Sequence, residues 1–539
     1  MNYNRCDNVI NLHFIDYIIK SYVPELQLDT KKIENIDMDI FREAMLHEST
    51  KYENHHKTYE RLEYLGDAIF HMVITEYLYK RYDEEAEGFL TRLRIRIERG
   101  DSMVDLTKIL DLVPYIQLYG ISLNNHILED IFEAFIGAFY LNFGIKYTRN
   151  FIIKLIEKHK NLSELILYDD NYKDLLLRYF HQMKWEYPIY DVEKQKNKMI
   201  NMDTKKFTMV VKNPKGEMLG RGSASIIGKA EQLASKEALI FLGVIVNGEI
   251  DHNWIDKIEK IEKDKKNKEK TDKKPMSVYN PNNKLMKKLD IENILSNYNV
   301  KLPKNTKINI KLFSEAMTHR SYLVRKKLTD DDKEASKNAV KLQKKSNERL
   351  KFLGDAIIHF IIGEHLFYTY DKSAEGFLTR LRCKLENRDL LFYLAKQTDI
   401  ASYVLVSQNI EVLHGRNNIN IISSGFESFA GAIYLEYGLS VVRQFVIEVM
   451  RIELDIDEIA ENETNYKDLV TSLYYKNNWG RPEYKTIKEE GPDHSKLFTR
   501  GIYLNNKLVA RGKASSKGKA EQIASKKMYE MFVDKLPKK

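Results

Sequence analysis

Only two cysteines, Cys6 and Cys383, occur in 539 residues. That is too few for a disulfide framework or a thiolate zinc site, so a reducing compartment is expected and thiol chemistry is not. No stretch approaches the ~18 uninterrupted apolar residues of a membrane span. The opening MNYNRCDNVINLHF lacks the apolar run and the small-residue cleavage site of a secretory signal. The chain is therefore expected to stay inside a cell, in cytoplasm or nucleus, with no membrane partner. It also has no Ser/His/Asp constellation and no Gly-rich phosphate loop. What it has is a globular composition, 43% hydrophobic and 30% charged with a net charge of +8. At about 150 residues per domain it has room for roughly three to four domains, and its mild basicity is a weak pointer to nucleic acid.

The chain repeats itself. AEGFLTRLR at Ala86–Arg94 returns letter for letter at Ala374–Arg382, and ERLEYLGDAI from Glu60 returns as ERLKFLGDAI from Glu348. FEAFIGAFYLNFG from Phe132 pairs with FESFAGAIYLEYG from Phe426, NYKDL from Asn171 with NYKDL from Asn465, and AMLHES from Ala44 with AMTHRS from Ala316. Blocks recurring in the same order with small drifts give an A-B-A′-B′ architecture. The expected boundaries are 1–158 (A), 165–245 (B), 283–457 (A′) and 462–535 (B′). Between them, 246–282 reads as a Lys-rich linker, with nine Lys and five acidic residues in Lys257–Lys274. The insertion Leu323–Ser346 before the second ERL block reads as a solvated loop or helix extension.

The two kinds of unit differ in period. In A, Leu62, Leu65, Ile69 and Val73 recur at helical spacing, as do Leu128, Ile131, Phe135 and Ala138, which predicts an all-α unit. In B, a helix from about Asn171 precedes an alternating stretch with Phe207, Met209 and Val211. A turn at Asn213–Gly216 and a closing helix through Ala230 and Ala238 complete an α+β module.

Glu63 and Asp67 are spaced i, i+4 on one predicted helix, and Asp130 and Glu133 i, i+3 on another, so each pair projects from one face. Converging carboxylates suit a hard divalent cation and phosphodiester hydrolysis. Either pair alone would be an ordinary solvated helix face. Both, however, lie inside apolar repeated blocks, where unpartnered charge is costly. The blocks Glu60–Ala68 (ERLEYLGDA), Glu87–Thr91 (EGFLT) and Asp130–Ala134 (DIFEA) resemble the ribonuclease III family of double-stranded RNA endonucleases. The resemblance implies that Glu63, Asp67, Asp130 and Glu133 are catalytic and metal-binding, with Mg²⁺ as cofactor and Mn²⁺ as a substitute, and that two such domains pair around the RNA. It further implies hydrolysis leaving 5′-phosphate ends. His126 stands where relatives commonly have Lys, a departure that bears on substrate positioning. His47 and His319, in matching AM-x-H-x-S settings, read as packing and hydrogen-bonding residues.

The second copy departs at the chemistry. Lys351 replaces the equivalent of Glu63 and Ser424 the equivalent of Asp130, which leaves Asp355 and Glu427 and makes metal binding there improbable. A′ then reads as a folded partner without its own active site. The B units resemble double-stranded RNA-binding domains of α-β-β-β-α form, which read A-form shape across the minor groove. In B′, Gly491-Pro492-Asp493-His494 is similar to the GPxH minor-groove loop, and Ser516-Lys517-Gly518-Lys519-Ala520 to the helix start that grips phosphate. B has Glu193–Lys198 in place of the loop and Ile226-Ile227 in place of Ser516-Lys517, and keeps Lys229. The expected partner is double-stranded or hairpin RNA. Two alternatives stay open: a non-cleaving protein that sequesters such RNA, and a homodimer with two active sites from the first copy.

Overall fold

Leu62, Leu65, Ile69 and Val73 all turn inward on the Glu60–Arg81 helix, and Leu128, Ile131, Phe135 and Ala138 do so on the Asn125–His159 helix. The structure is a computed structural model that describes residues 8–26, 35–53, 57–167, 172–192, 207–246, 249–250, 277–302, 307–325, 330–463, 466–477, 479–490, 496–504 and 507–533. The chain divides into two compact units, residues 1–156 with 277–539, and residues 157–276.

In the larger unit, the first copy is all-helical. Its two long helices cross where glycine permits. A Cβ on Gly66 would lie 1.8 Å from the Glu133 carbonyl oxygen, and one on Gly137 would lie 2.3 Å from that of Leu62. Only a residue without a side chain allows backbones this close. The contact sets the turn bearing Glu63 and Asp67 against the turn bearing Asp130 and Glu133. The second copy repeats the crossing between Glu348–Thr369 and Ile419–Tyr437 at Gly354 and Gly431. Around the crossings, Phe70, Phe132 and Phe135 in one copy and Phe360, Phe426 and Phe429 in the other are sealed from solvent, each contributing about 1.5–3 kcal/mol of burial.

The two copies pack through Glu60–Arg81 and Glu348–Thr369. Arg61 donates to the carbonyls of Phe367 (2.7 Å) and Tyr370 (2.9 Å) and lies over the Phe367 ring. Arg349 reciprocates, donating to the carbonyls of Tyr79 and Tyr82, both at 2.8 Å, and lying over the Tyr79 ring. Each guanidinium thus neutralises the carbonyl end of the opposite helix, where cations are favoured. Two matching triads add to this. Buried Glu76 accepts from Tyr434 (2.7 Å) and pairs with Arg149 (2.8 Å), while buried Glu364 accepts from Tyr140 and pairs with Arg443 (2.7 Å). Removing one member would strand a buried charge.

The larger unit closes with a helix (Tyr466–Lys476), an antiparallel sheet of Glu483–Glu490, Leu497–Leu504 and Lys507–Ala514, and a helix (Lys517–Val533). The smaller unit has the same order in Tyr172–Gln182, the strands Ile189–Val192, Phe207–Lys212 and Met218–Ala224, and the helix Ile227–Phe241. In both, small residues let the last helix settle on the sheet. A Cβ on Gly220 would meet the Ala234 carbonyl oxygen at 2.3 Å, and one on Gly512 that of Ala520 at 2.1 Å. The predicted turn forms as an Asn213 side-chain cap on the Lys215 and Glu217 amides with Gly216 at φ 83°.

Two expectations from charge patterning need correction. Residues 277–282, assigned to the linker, are packed into the second copy: Val278 is buried, and Asn280 donates to Val406 O (3.1 Å) and Glu411 (2.7 Å). The Leu323–Ser346 insertion is not simply solvated. Asp332 is buried and accepts from the Val278 amide (2.8 Å), and Gln343 bonds back to Tyr322 O (3.1 Å). A polar sequence hides such packing because its buried polar groups are satisfied by backbone partners far away in the chain. The Lys257–Lys274 run lies outside the described residues. No helix among the described residues is long and apolar enough to cross a membrane.

Candidate active site and RNA-binding surface

The Gly66–Gly137 crossing brings the four carboxylates of the first copy into one electrostatic neighbourhood. Burial first, then repulsion from Asp130, Glu375 and its other acidic neighbours, pushes Glu63 up to about 9. Burial and the charges of Asp67 and Glu63 push Glu133 well above its ordinary range. Asp130, which is buried, is also raised by burial, although a hydrogen bond from the Tyr59 hydroxyl (2.8 Å) and the nearby His126 (3.1 Å) oppose the rise. Asp67 goes the other way. Burial would raise it, but His359 (3.6 Å) and Arg382 (3.2 Å) outweigh that and hold it at about 2.

The arrangement is an all-oxygen donor set whose carboxyls resist ionising together without a counter-charge, the chemistry that fits a hard divalent cation. The groups share a field without closing on one point: among the described residues, no three His, Cys, Asp or Glu side chains stand together in a metal-binding group. His47 and His319 each cap a turn, accepting from the amides of Ser49 (3.0 Å) and Ser321 (3.2 Å).

The equivalent place in the second copy is chemically different. The Ser424 hydroxyl donates back to Asn420 O (2.6 Å), so it is spent on its own helix. Glu427 is buried, has Oε2 without a hydrogen-bond partner, and is pushed up to about 8 by burial and Asp355 against the pull of Lys351. Three side chains missed from the sequence, His359, Glu375 and Arg382, come from this second copy yet act on the first copy's carboxylates. Arg382 and Glu375 sit in the repeated AEGFLTRLR block, but nothing in the block tells which copy its side chains face. Tyr59 was missed because its counterpart is Asn347 and no periodicity marks it.

Of the expected RNA contacts in B′, Gly491, Pro492 and His494 lie outside the described residues. Ser516 accepts from the Lys519 amide (3.3 Å) at the start of the Lys517–Val533 helix. Lys519 is exposed. Lys517 is not free: it sits 3.2 Å from Glu489 and over the Phe498 ring. In the smaller unit Lys229 is exposed, but Ile226 and Ile227 present 57% and 43% of their surface where B′ has Ser516 and Lys517. Glu193–Lys198 lie outside the described residues. Lys519→Ala is therefore expected to lower the slope of log affinity against log salt by about one, Lys517→Ala by less because its ion pair must first open, and Lys229→Ala least. Duplex-RNA binding across a salt series measures all three, and equal losses would contradict this division.

Comparison with known proteins gives two kinds of match. A family described as ribonuclease-III-like matches residues 37–159 and 309–452. The double-stranded RNA binding motif matches residues 172–242 and 466–531. A probable ribonuclease 3 of Acanthamoeba polyphaga mimivirus is 68% identical over 532 residues, covering 99% of this chain and 98% of the relative. Ribonuclease 3 of Borreliella afzelii is 33% identical over 217 residues, 40% of this chain and 83% of that protein. The crystal structure of the nuclease domain of ribonuclease III from Campylobacter jejuni aligns with 32% of this chain and 98% of its own, at 27% identity and a TM-score of 0.25.

Proposed function

This chain belongs to the ribonuclease III family and is an endoribonuclease, and we propose that it cleaves double-stranded or structured RNA at one Mg²⁺-dependent centre per chain, built on the first copy. The observation that carries this reading is the contrast between two like crossings. At Gly66–Gly137 four carboxylates repel one another, whereas at Gly354–Gly431 Lys351 and Ser424 break the set. Glu63, Asp67, Asp130 and Glu133 would hold the ion, with Tyr59 and His126 orienting Asp130. When bound, Mg²⁺ supplies an activated water and charge stabilisation for the leaving oxygen. The reciprocal Arg61 and Arg349 contacts support pairing of the two copies within one chain. B′ would supply the main grip on the duplex through Lys519 and the Gly491–His494 motif.

The test is cleavage of a long RNA duplex by the full chain. Activity is expected with Mg²⁺ or Mn²⁺ and none in EDTA, with 5′-phosphate products. Cleavage that persists in EDTA, or products ending in cyclic phosphates, would overturn the reading.

A further inference from the structure

The interface between the copies also brings the second copy, which keeps only Asp355 and Glu427 of the four carboxylates, against the first copy's site. Each copy carries a His–Glu pair where the two copies meet: His71 lies 3.2 Å from Glu98 and His359 lies 3.0 Å from Glu386, with ring centroids of the two histidines 5.2 Å apart. Arg94 and Arg382 occupy equal places in the repeated AEGFLTRLR block. Both lie against matching rings of the other copy, Arg94 over Phe352 (4.8 Å) and Arg382 over Tyr64 (4.5 Å).

There the symmetry ends. Arg94 is tied to its own copy, donating to the Thr75 hydroxyl (3.2 Å) and standing 3.7 Å from Glu98. The residue equivalent to Thr75 is Gly363, whose missing side chain faces Arg382 and Ala68. Without that hydroxyl, Arg382 donates instead across the interface to Asp67 Oδ2 (3.2 Å), while its Nε and Nη1 are buried without hydrogen-bond partners. His359 Nε2 stands 3.6 Å from the same oxygen. The Arg382 side chain is 9% exposed and that of Asp67 42%, so the carboxylate is gripped from the buried side and stays open on the other.

We infer that Arg382, backed by His359, is a positioning residue of the catalytic centre, so that the second copy completes the first copy's site in trans by fixing one oxygen of Asp67 and leaving the other for the site. The inference rests on the proposed role of Asp67. It makes the loss of Thr75's equivalent functional: Gly363 leaves one arginine of the pair free to hydrogen-bond across the interface.

Arg94 supplies an internal control, being equally placed and nearly as buried but hydrogen-bonded within its own copy. Arg382→Met is expected to lower single-turnover kcat about 10- to 100-fold, the loss of one hydrogen bond to a charged group. RNA affinity and KM should stay within about twofold. Mn²⁺ binding without RNA, followed by electron paramagnetic resonance, should weaken about tenfold on the same grounds. Arg94→Met should leave kcat and Mn²⁺ affinity unchanged, and Arg382→Lys should recover part of the loss. Gly363→Ser, which offers Arg382 the local hydroxyl that Arg94 already has, should lower kcat with no charge removed, and serves if Arg382→Met does not fold. Equal effects of Arg382→Met and Arg94→Met, or full kcat and Mn²⁺ affinity in Arg382→Met and Gly363→Ser, would overturn the inference. A wild-type chain that neither takes up Mn²⁺ nor cleaves would instead sink the reading of the site itself.

Discussion

Glu133→Gln is expected to reduce duplex cleavage by on the order of 10³-fold while leaving duplex affinity unchanged, because Glu133 is proposed to hold the metal and not to contact phosphate. A well-folded Glu133→Gln protein that still cleaves with Mg²⁺ would sink the assignment of the four carboxylates. The same cluster makes a prediction about stability. Glu63 is pushed from 4.5 up to about 9 in the folded protein, chiefly by burial. A folded-state value above the unfolded one means that this group costs the metal-free protein nothing below about pH 4.5. The cost grows as pH rises towards 9. Glu63→Gln should therefore stabilise the metal-free first copy at pH 8, by on the order of 1–3 kcal/mol, and change little at pH 4. Thermal unfolding in EDTA at the two pH values measures this. Added Mg²⁺ should stabilise the wild type but not the variant, since a ligand stabilises only the form that binds it.

The second large effect concerns strands. If each of two paired ribonuclease III domains serves one strand, a chain with Lys351 and Ser424 in its second copy should nick one strand per docking event. A duplex labelled differently on its two strands, under single-turnover conditions with low occupancy per duplex, should yield nicks and not staggered double cuts. Ser424→Asp alone should change little, because the Lys351 ammonium repels a cation and cannot ligate it while protonated. Lys351→Glu with Ser424→Asp rebuilds four carboxylates with Asp355 and Glu427 and should restore concerted double cuts, visible as a change in the double-cut fraction from near zero to a majority of events. Concerted cuts by wild-type protein of monomeric mass would contradict the single-centre reading.

By itself the sequence determined what is local and what is repeated. Helical spacing placed Glu63 with Asp67 and Asp130 with Glu133, since a 3.6-residue period fixes which side chains share a face. Aligned blocks exposed Lys351 and Ser424 as departures, since residue identity needs no coordinates. The helix–sheet–helix order of B was legible from the change of period and the Asn213–Gly216 turn, although the Ile189–Val192 strand was not, being short and unpatterned. Tertiary structure decided everything that depends on which surfaces meet. That Arg382 bonds to Asp67 while Arg94 stays with Thr75 was hidden because the block that carries both arginines is identical letter for letter, and only the packing of the two copies shows that the Thr75/Gly363 difference lies beside them. That Lys517 is paired with Glu489, and that Asp332 holds the chain at Val278, are contacts between residues far apart in the chain. The raised Glu63 and lowered Asp67 belong to the same class, because burial and neighbouring charge shift a carboxyl, and both are properties of the assembled fold and not of the residue.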